Sequence, residues 1–120
     1  LMDDEYFLYY EETDFCLNAL RKNWECWYVP ASKVLHIAGA STGVVDEKVG
    51  SKPLPEYLFN SRRRYFLKNH GFLYTLLADI AWISGYSLFL VKTKLTKRHV
   101  NLTKNLLRDS LRHCILFKRS

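Results

Sequence analysis

Tyr9-Tyr10-Glu11-Glu12-Thr13-Asp14-Phe15-Cys16 opens the first regular element of this chain, and the residues from there to Ile37 set the expected fold class. Phe15, Cys16, Leu17, Ala19 and Leu20 fall on one face at helical spacing, and Arg21 and Lys22 suit the negative end of a helix dipole. The spacing predicts a helix over residues 12–23. Glu25-Cys26-Trp27-Tyr28-Val29, stopped by Pro30, reads as a strand, and Lys33-Val34-Leu35-His36-Ile37 as a second. The resulting helix–strand–strand unit makes the expected class α+β, mostly helical, with a short two-stranded element and about four helices.

Outward from that unit, residues 38–53 carry small and mixed-charge residues and read as a long loop. Pro55 suits the first turn of a helix running to Asn69 and ended by His70-Gly71. Residues 71–91 form an apolar run long enough to raise a membrane-spanning reading, against which stand Asp79 and several Ser, Thr and Gly residues. A buried or partner-packed helix and a membrane-surface helix are the alternatives. Lys92, Lys94, Lys97 and Arg98 come next, and a last helix is expected over 100–116, with Leu102, Leu106, Leu107, Leu111 and Ile115 on one face and cations on the rest.

The chain has 120 residues, 48% of them hydrophobic, and a net charge of +6. The charge is divided: residues 1–60 hold ten acids and five bases, residues 61–120 two acids and thirteen bases. The two halves are read as having different jobs, and the expected division falls at 52/53, between an N-terminal part, 1–52, that carries the acidic turn, the His36 strand and the loop, and a basic, amphipathic helical extension, 53–120. Cys16, Cys26 and Cys114 are odd in number and contain no CxxC pair, which argues against a disulfide framework or a zinc site. The abrupt start at Leu1-Met2-Asp3-Asp4 suggests a fragment of a longer polypeptide.

Candidate chemistry falls in three places. Glu11, Glu12 and Asp14 sit in the first turn of the helix, where free backbone N–H groups and the dipole favour an ionised carboxylate that can take a proton or bind a cation. Simple helix capping explains the same residues. His36 ends the second strand ahead of Gly39-Ala40-Ser41-Thr42; it reads as a ligand or as a structural histidine. Arg62 shares the apolar stripe of Leu58 and Phe66, either to contact an anion or to snorkel from the core edge.

Taken together, Met2 to Leu17, Tyr28-Val29-Pro30 through His36 to Thr42, and Arg62 to Gly71 resemble the C-terminal portion of family-two glycosyltransferases, especially the bacterial rhamnosyltransferase-like members. The resemblance covers about residues 1–71. It implies part of a GT-A (Rossmann-like nucleotide-diphospho-sugar transferase) fold and an inverting transfer of a sugar, such as rhamnose, from a nucleotide-diphosphate donor to a glycan or lipid-linked acceptor in cell-surface polysaccharide synthesis. It further implies Glu12 as the catalytic base, with Glu11 and Asp14 as alternatives. His36 becomes a ligand to a divalent metal (Mg or Mn), and Gly39, Ser41, Thr42 and Arg62 form the donor-diphosphate contacts. The family's DxD half lies upstream of the matched region, so these 120 residues alone are expected to be inactive and to bind no metal. The implied location is cytoplasmic, peripheral on the inner face of the plasma membrane.

The competing reading is a non-catalytic basic membrane-surface or interaction module, motivated by residues 61–120, with an anionic membrane as its partner. Self-association is expected if apolar helices are left uncovered. No recognised motif supports nucleic-acid binding.

Overall fold

The computed structural model describes residues 2–35, 53–97, 100 and 102–117. Three helices make up the regular structure of the described residues: α1 (Glu11–Arg21), α2 (Glu56–Leu95) and α3 (Leu106–Arg112). This corrects the expected α+β class. No strand occurs among the described residues, so the two-stranded element and the GT-A fragment built on it are not supported, and the helices number three rather than four.

The physical reason lies in what the strand-like segments touch. Trp27, Tyr28, Val29, Val34 and Leu35 are all exposed, and the segments are joined by a turn in which the Ser32 N–H donates to the Val29 carbonyl at 3.0 Å. β-Branched and aromatic residues favour strands only where a pleated, half-buried surface receives them. Two short strands with no third strand or covering helix are marginal in water.

α2 is two expected helices run together. The break foreseen at His70-Gly71 is present as a kink: Gly71 takes φ 78°, ψ 177° inside an otherwise helical element. Glycine populates that region without steric cost, and helix resumes because no proline comes after it. Forty straight residues would span about 60 Å, whereas the longest dimension of the molecule is 48 Å. Carbonyls loosened by the kink find side-chain donors. Thr75 Oγ1 donates to the Gly71 carbonyl at 2.7 Å, and Arg21 Nη2 donates to the Asn69 carbonyl at 2.9 Å. α3 is shorter than the expected 100–116. It starts only after Asn105, which holds a left-handed φ of 61°, a conformation Asn tolerates better than most residues.

Residues 3–14 lie along the proximal arm of α2, on a row spaced by single helical turns. Tyr9 stacks on Tyr57, Ser61 Oγ donates to the Leu8 carbonyl at 2.8 Å, Tyr10 meets the Tyr65 ring, and Arg64 and Lys68 take Asp3. α3 lies on α2 near its middle: Trp82 Nε1 donates to Ser110 Oγ at 3.2 Å. Asp79 bonds the Ile115 N–H at 3.0 Å with one oxygen and Arg62 at 2.5 Å with the other. Tyr6, Cys114 and Ile115 are the buried apolar residues among those described, while Asp14, Ser61, Thr75, Asp79 and Ser110 are the buried polar ones. Polar ties, more than an apolar core, join these elements.

α2 is long and apolar enough to cross a membrane, and little of its apolar window is buried. Asp79, the residue set against that reading in the sequence, is neutralised by Arg62. The position of α3 is the stronger geometric constraint. Trp82 lies midway along residues 72–91, so a perpendicular span would carry α3 to the bilayer centre beside it. Arg108 and Arg112 of α3 are exposed, and a charged side chain at that depth costs about 2.5–3.5 kcal/mol on insertion scales.

A Cβ at Gly71 meets no atom within 4 Å, so a substitution there acts through backbone strain alone. Gly71→Ala is expected to lower stability by roughly 1–3 kcal/mol, read as a reduced urea midpoint at unchanged m-value.

Candidate functional site at the start of α1

The turn into α1 is strained. Tyr9 and Tyr10 both hold φ 69°, in the left-handed region that non-glycine residues avoid. Tyr10 is the N-cap, without a side-chain cap, and its carbonyl accepts the Asp14 N–H at 2.8 Å. Ring contacts hold the strain in place: Tyr9 on Tyr57 and Tyr10 on Tyr65, with centroids 6.1 and 5.4 Å apart. Two consecutive backbone outliers directly before two consecutive glutamates mark this turn as the place where the fold gives up stability for position.

The three acids of the first turn have different fates. Asp14 is 2% exposed and fully engaged. Its Oδ2 accepts from Lys68 Nζ at 2.6 Å and from Asn18 Nδ2 at 3.0 Å, and its Oδ1 accepts from Asn69 Nδ2 at 2.5 Å. Burial by itself would push this carboxyl up, but the Lys68 and Asn69 hydrogen bonds outweigh it and hold it below the usual range. A carboxylate so held is a poor proton acceptor. Glu12 is exposed. Glu11 is half-buried, and its Oε2 is shielded from solvent with no hydrogen-bond partner among the described residues.

Behind Asp14 lies a charged cluster that sequence reasoning missed. Asp3 accepts from Lys68 Nζ at 2.7 Å and from Arg64 Nη2 at 2.9 Å. The Lys68 hydrogen bond, with those of Glu5 and Arg64, takes its carboxyl down to about 2 against the raising effect of burial. Lys68, shared between Asp14 and Asp3, is raised by both. Tyr6 sits under the cations, with the Arg64 guanidinium 5.5 Å and the Lys68 ammonium 5.8 Å from its ring centroid. Burial, and then the Asp14 charge, push its phenol up to about 12. The available signal was Asp3 set opposite the Arg64/Lys68 turn, but a separation of 61 residues hides such a pairing from any local pattern.

Arg62 lines a cleft of about 330 Å³ between α2 and α3. Tyr10, Phe59, Phe66 and Trp82 give it aromatic walls, and Asp79, Ser110 and His113 add polar groups. Nη1 of Arg62 binds Asp79, and the guanidinium lies 5.0 Å from the Phe66 ring centroid. Tyr10, the residue before Glu11, belongs to this wall, so the cleft adjoins the acidic turn through the chain itself. Partial desolvation and the neighbouring Cys26 push the Cys16 thiol up, so it stays protonated at neutral pH and makes a poor nucleophile.

His36, Gly39, Ser41 and Thr42 lie outside the described residues. Among those described, no group of three or more His, Cys, Asp or Glu side chains could hold a metal ion, and Asp3, Asp14 and Asp79 are each paired with cations. The described residues therefore do not form a site for the divalent ion that the family resemblance implies. No protein-family model, no curated protein and no solved structure matches this chain.

The shifts of Asp3 and Asp14 fix the sign of a pH dependence. Both carboxyls are depressed in the folded state, so the stability they supply is complete above the ordinary value of 3.8 and is lost as pH falls towards about 2. Lys68 is raised, so its part is complete below 10.5 and is lost above it. Urea midpoints measured across pH should fall at both ends, and Asp3→Asn should flatten the acid limb. Asp14→Ala, which removes one of the two carboxylate partners of Lys68 and leaves Asn69 Nδ2 without its acceptor, is expected to cost roughly 1–3 kcal/mol in the same measurement at neutral pH.

Proposed function

We propose that this chain is part of an inverting glycosyltransferase that moves a sugar from a nucleotide-diphosphate donor to a glycan or lipid-linked acceptor, with Glu12 as the general base. The observation that carries the reading is the union of two sequence segments. The acidic helix start and the Arg62–Gly71 stretch, which the resemblance links only by order along the chain, are joined by the bonds of Asp14 to Lys68 and Asn69. Behind a strained turn, that union leaves Glu12 exposed in the first turn of α1.

In this reading the Glu12 carboxylate takes the proton of the acceptor hydroxyl as that oxygen attacks the anomeric carbon of the donor sugar. The diphosphate leaves from the opposite face. Asp14 positions rather than reacts: its bonds fix the first turn of α1 against α2, and with it the direction in which Glu12 points. The aromatic cleft alongside, with its Arg62, Ser110 and His113 groups, suits an acceptor that offers both rings and hydroxyls. His36, Gly39, Ser41 and Thr42 retain their implied donor-side roles as part of the proposal, whereas Arg62, also implied as a donor-diphosphate contact, is held by Asp79 in the cleft wall, and no step is routed through the metal.

A second reading, a basic membrane-surface module, is favoured by the apolar length of α2 left uncovered. It is compatible with the first if the helical part holds a cytoplasmic enzyme against the inner face of the plasma membrane.

Substitutions in the parent polypeptide separate base from anchor. Glu12→Gln should reduce turnover at least about a thousandfold while leaving the melting temperature and nucleotide-sugar affinity unchanged. Asp14→Asn should lower the melting temperature and activity together. Transfer surviving in well-folded Glu12→Gln rejects Glu12 as the base, and loss in Glu11→Gln instead reassigns the role.

A further inference from the structure

The distal arm of α2 carries two faces with different fates. Thr75, Asp79 and Trp82 face α3 and the cleft. On the opposite side Leu73, Leu77, Ile80, Leu88, Val91 and Leu95 fall within an arc of about 80° at 3.6 residues per turn, and every one is between 49 and 79% exposed. An aliphatic stripe about six turns long, opposite a side that is buried at Thr75 and Asp79 and half-exposed at Trp82, is an interaction surface rather than scattered surface hydrophobicity.

We propose that this stripe lies flat on an anionic lipid leaflet, with α2 parallel to the membrane plane and α3 on the water side. The inference rests on the membrane-surface reading above and names the face and the geometry. Three observations choose lipid over other occupants. First, the apolar repeat is irregular: seven-residue steps hold from Leu73 to Ile80 and from Leu88 to Leu95 but land on Ser84 and Ser87 from Leu77 and Ile80, and the eleven-residue step that joins Leu77 to Leu88 and Ile80 to Val91 lands on Ser84 from Leu73. A supercoiled partner helix needs an unbroken seven-residue seam, while a flat apolar medium does not.

Second, Lys92 and Lys94 sit about 80° to either side of the stripe's centre, both exposed. Their alkyl stems can run along the apolar face while the ammonium groups reach headgroup phosphates. No acid occurs from Ile80 to Lys97, so nothing on that length repels an anionic surface. Third, exposed Arg108 and Arg112 on α3 beside Trp82 are incompatible with a perpendicular span and are accommodated when the arm lies in the interface.

The test is flotation of the whole chain with vesicles of phosphatidylcholine alone and of phosphatidylcholine containing phosphatidylserine, at low and high salt. Binding should require phosphatidylserine and weaken with salt. Leu77→Glu/Leu88→Glu should weaken it at least about a hundredfold, with Leu77→Gln/Leu88→Gln intermediate. Lys92→Ala/Lys94→Ala should weaken it about thirtyfold. Because these side chains are exposed, melting temperatures should stay within a few degrees of the parent.

Unaltered binding by the stripe variants would overturn the assignment of this face and leave the membrane-surface reading intact. Absence of binding by the parent chain would overturn both. A dimer in sedimentation that the stripe variants dissolve, or protease protection of the α3 arginines inside sealed vesicles, would replace the flat lipid contact with a second copy or with a span.

Discussion

The bond between the Asp14 carboxylate and Lys68 and Asn69 is the constraint on which the rest of the arrangement depends. It joins the first turn of α1 to the proximal arm of α2 across more than fifty residues, where few apolar side chains are buried among the described residues. A buried ion pair is weak evidence of net stabilisation, because desolvation offsets most of the Coulomb attraction. What it does supply is register. The placement of α1 that satisfies Asp14, Asn69 and the Arg21–Asn69 bonds together also sets Tyr9 and Tyr10 against Tyr57 and Tyr65.

Register has a local consequence at Glu11 and Glu12. Ordinary helix capping would let the chain enter α1 by an extended residue with a hydroxyl or carboxamide cap. Here two tyrosines in left-handed conformation do so, held by ring packing. The same bonds that withdraw Asp14 from chemistry leave Glu12 exposed, while Glu11 stays half-buried. An acid that anchors and an acid that remains available are thus separated within a single helical turn by which side of α1 meets α2.

The second buried carboxylate, Asp79, plays a parallel part at the other end. It takes Arg62 from the proximal arm and the Ile115 N–H beyond α3, closing the bent α2 and α3 around the cleft. In the sequence Asp79 reads as an obstacle to a membrane span. In the structure its charge is already neutralised, and the obstacle is the position of α3. With one side of the distal arm so occupied, the opposite side keeps an exposed aliphatic surface, interrupted at Ser84.

The start of α1, the break at Gly71 and the divided charge were legible in the sequence, because each arises from residue type and short-range spacing: apolar side chains at helical intervals, acids ahead of bases, a glycine after a histidine. The two strands were misread because Trp27, Tyr28, Val34 and Leu35 have the composition of a sheet but no sheet among the described residues to enter, and β preference is set by neighbours more than by the backbone. The fate of each acid was not legible either. Glu11, Glu12 and Asp14 are near equivalents along the chain, and only the side of α1 that met Lys68 and Asn69 decided which became an anchor. Local chemistry thus determined the helices and the candidates for reaction. Tertiary structure alone decided which candidates were withdrawn, because hydrogen bonds between residues more than fifty positions apart leave no trace in local spacing.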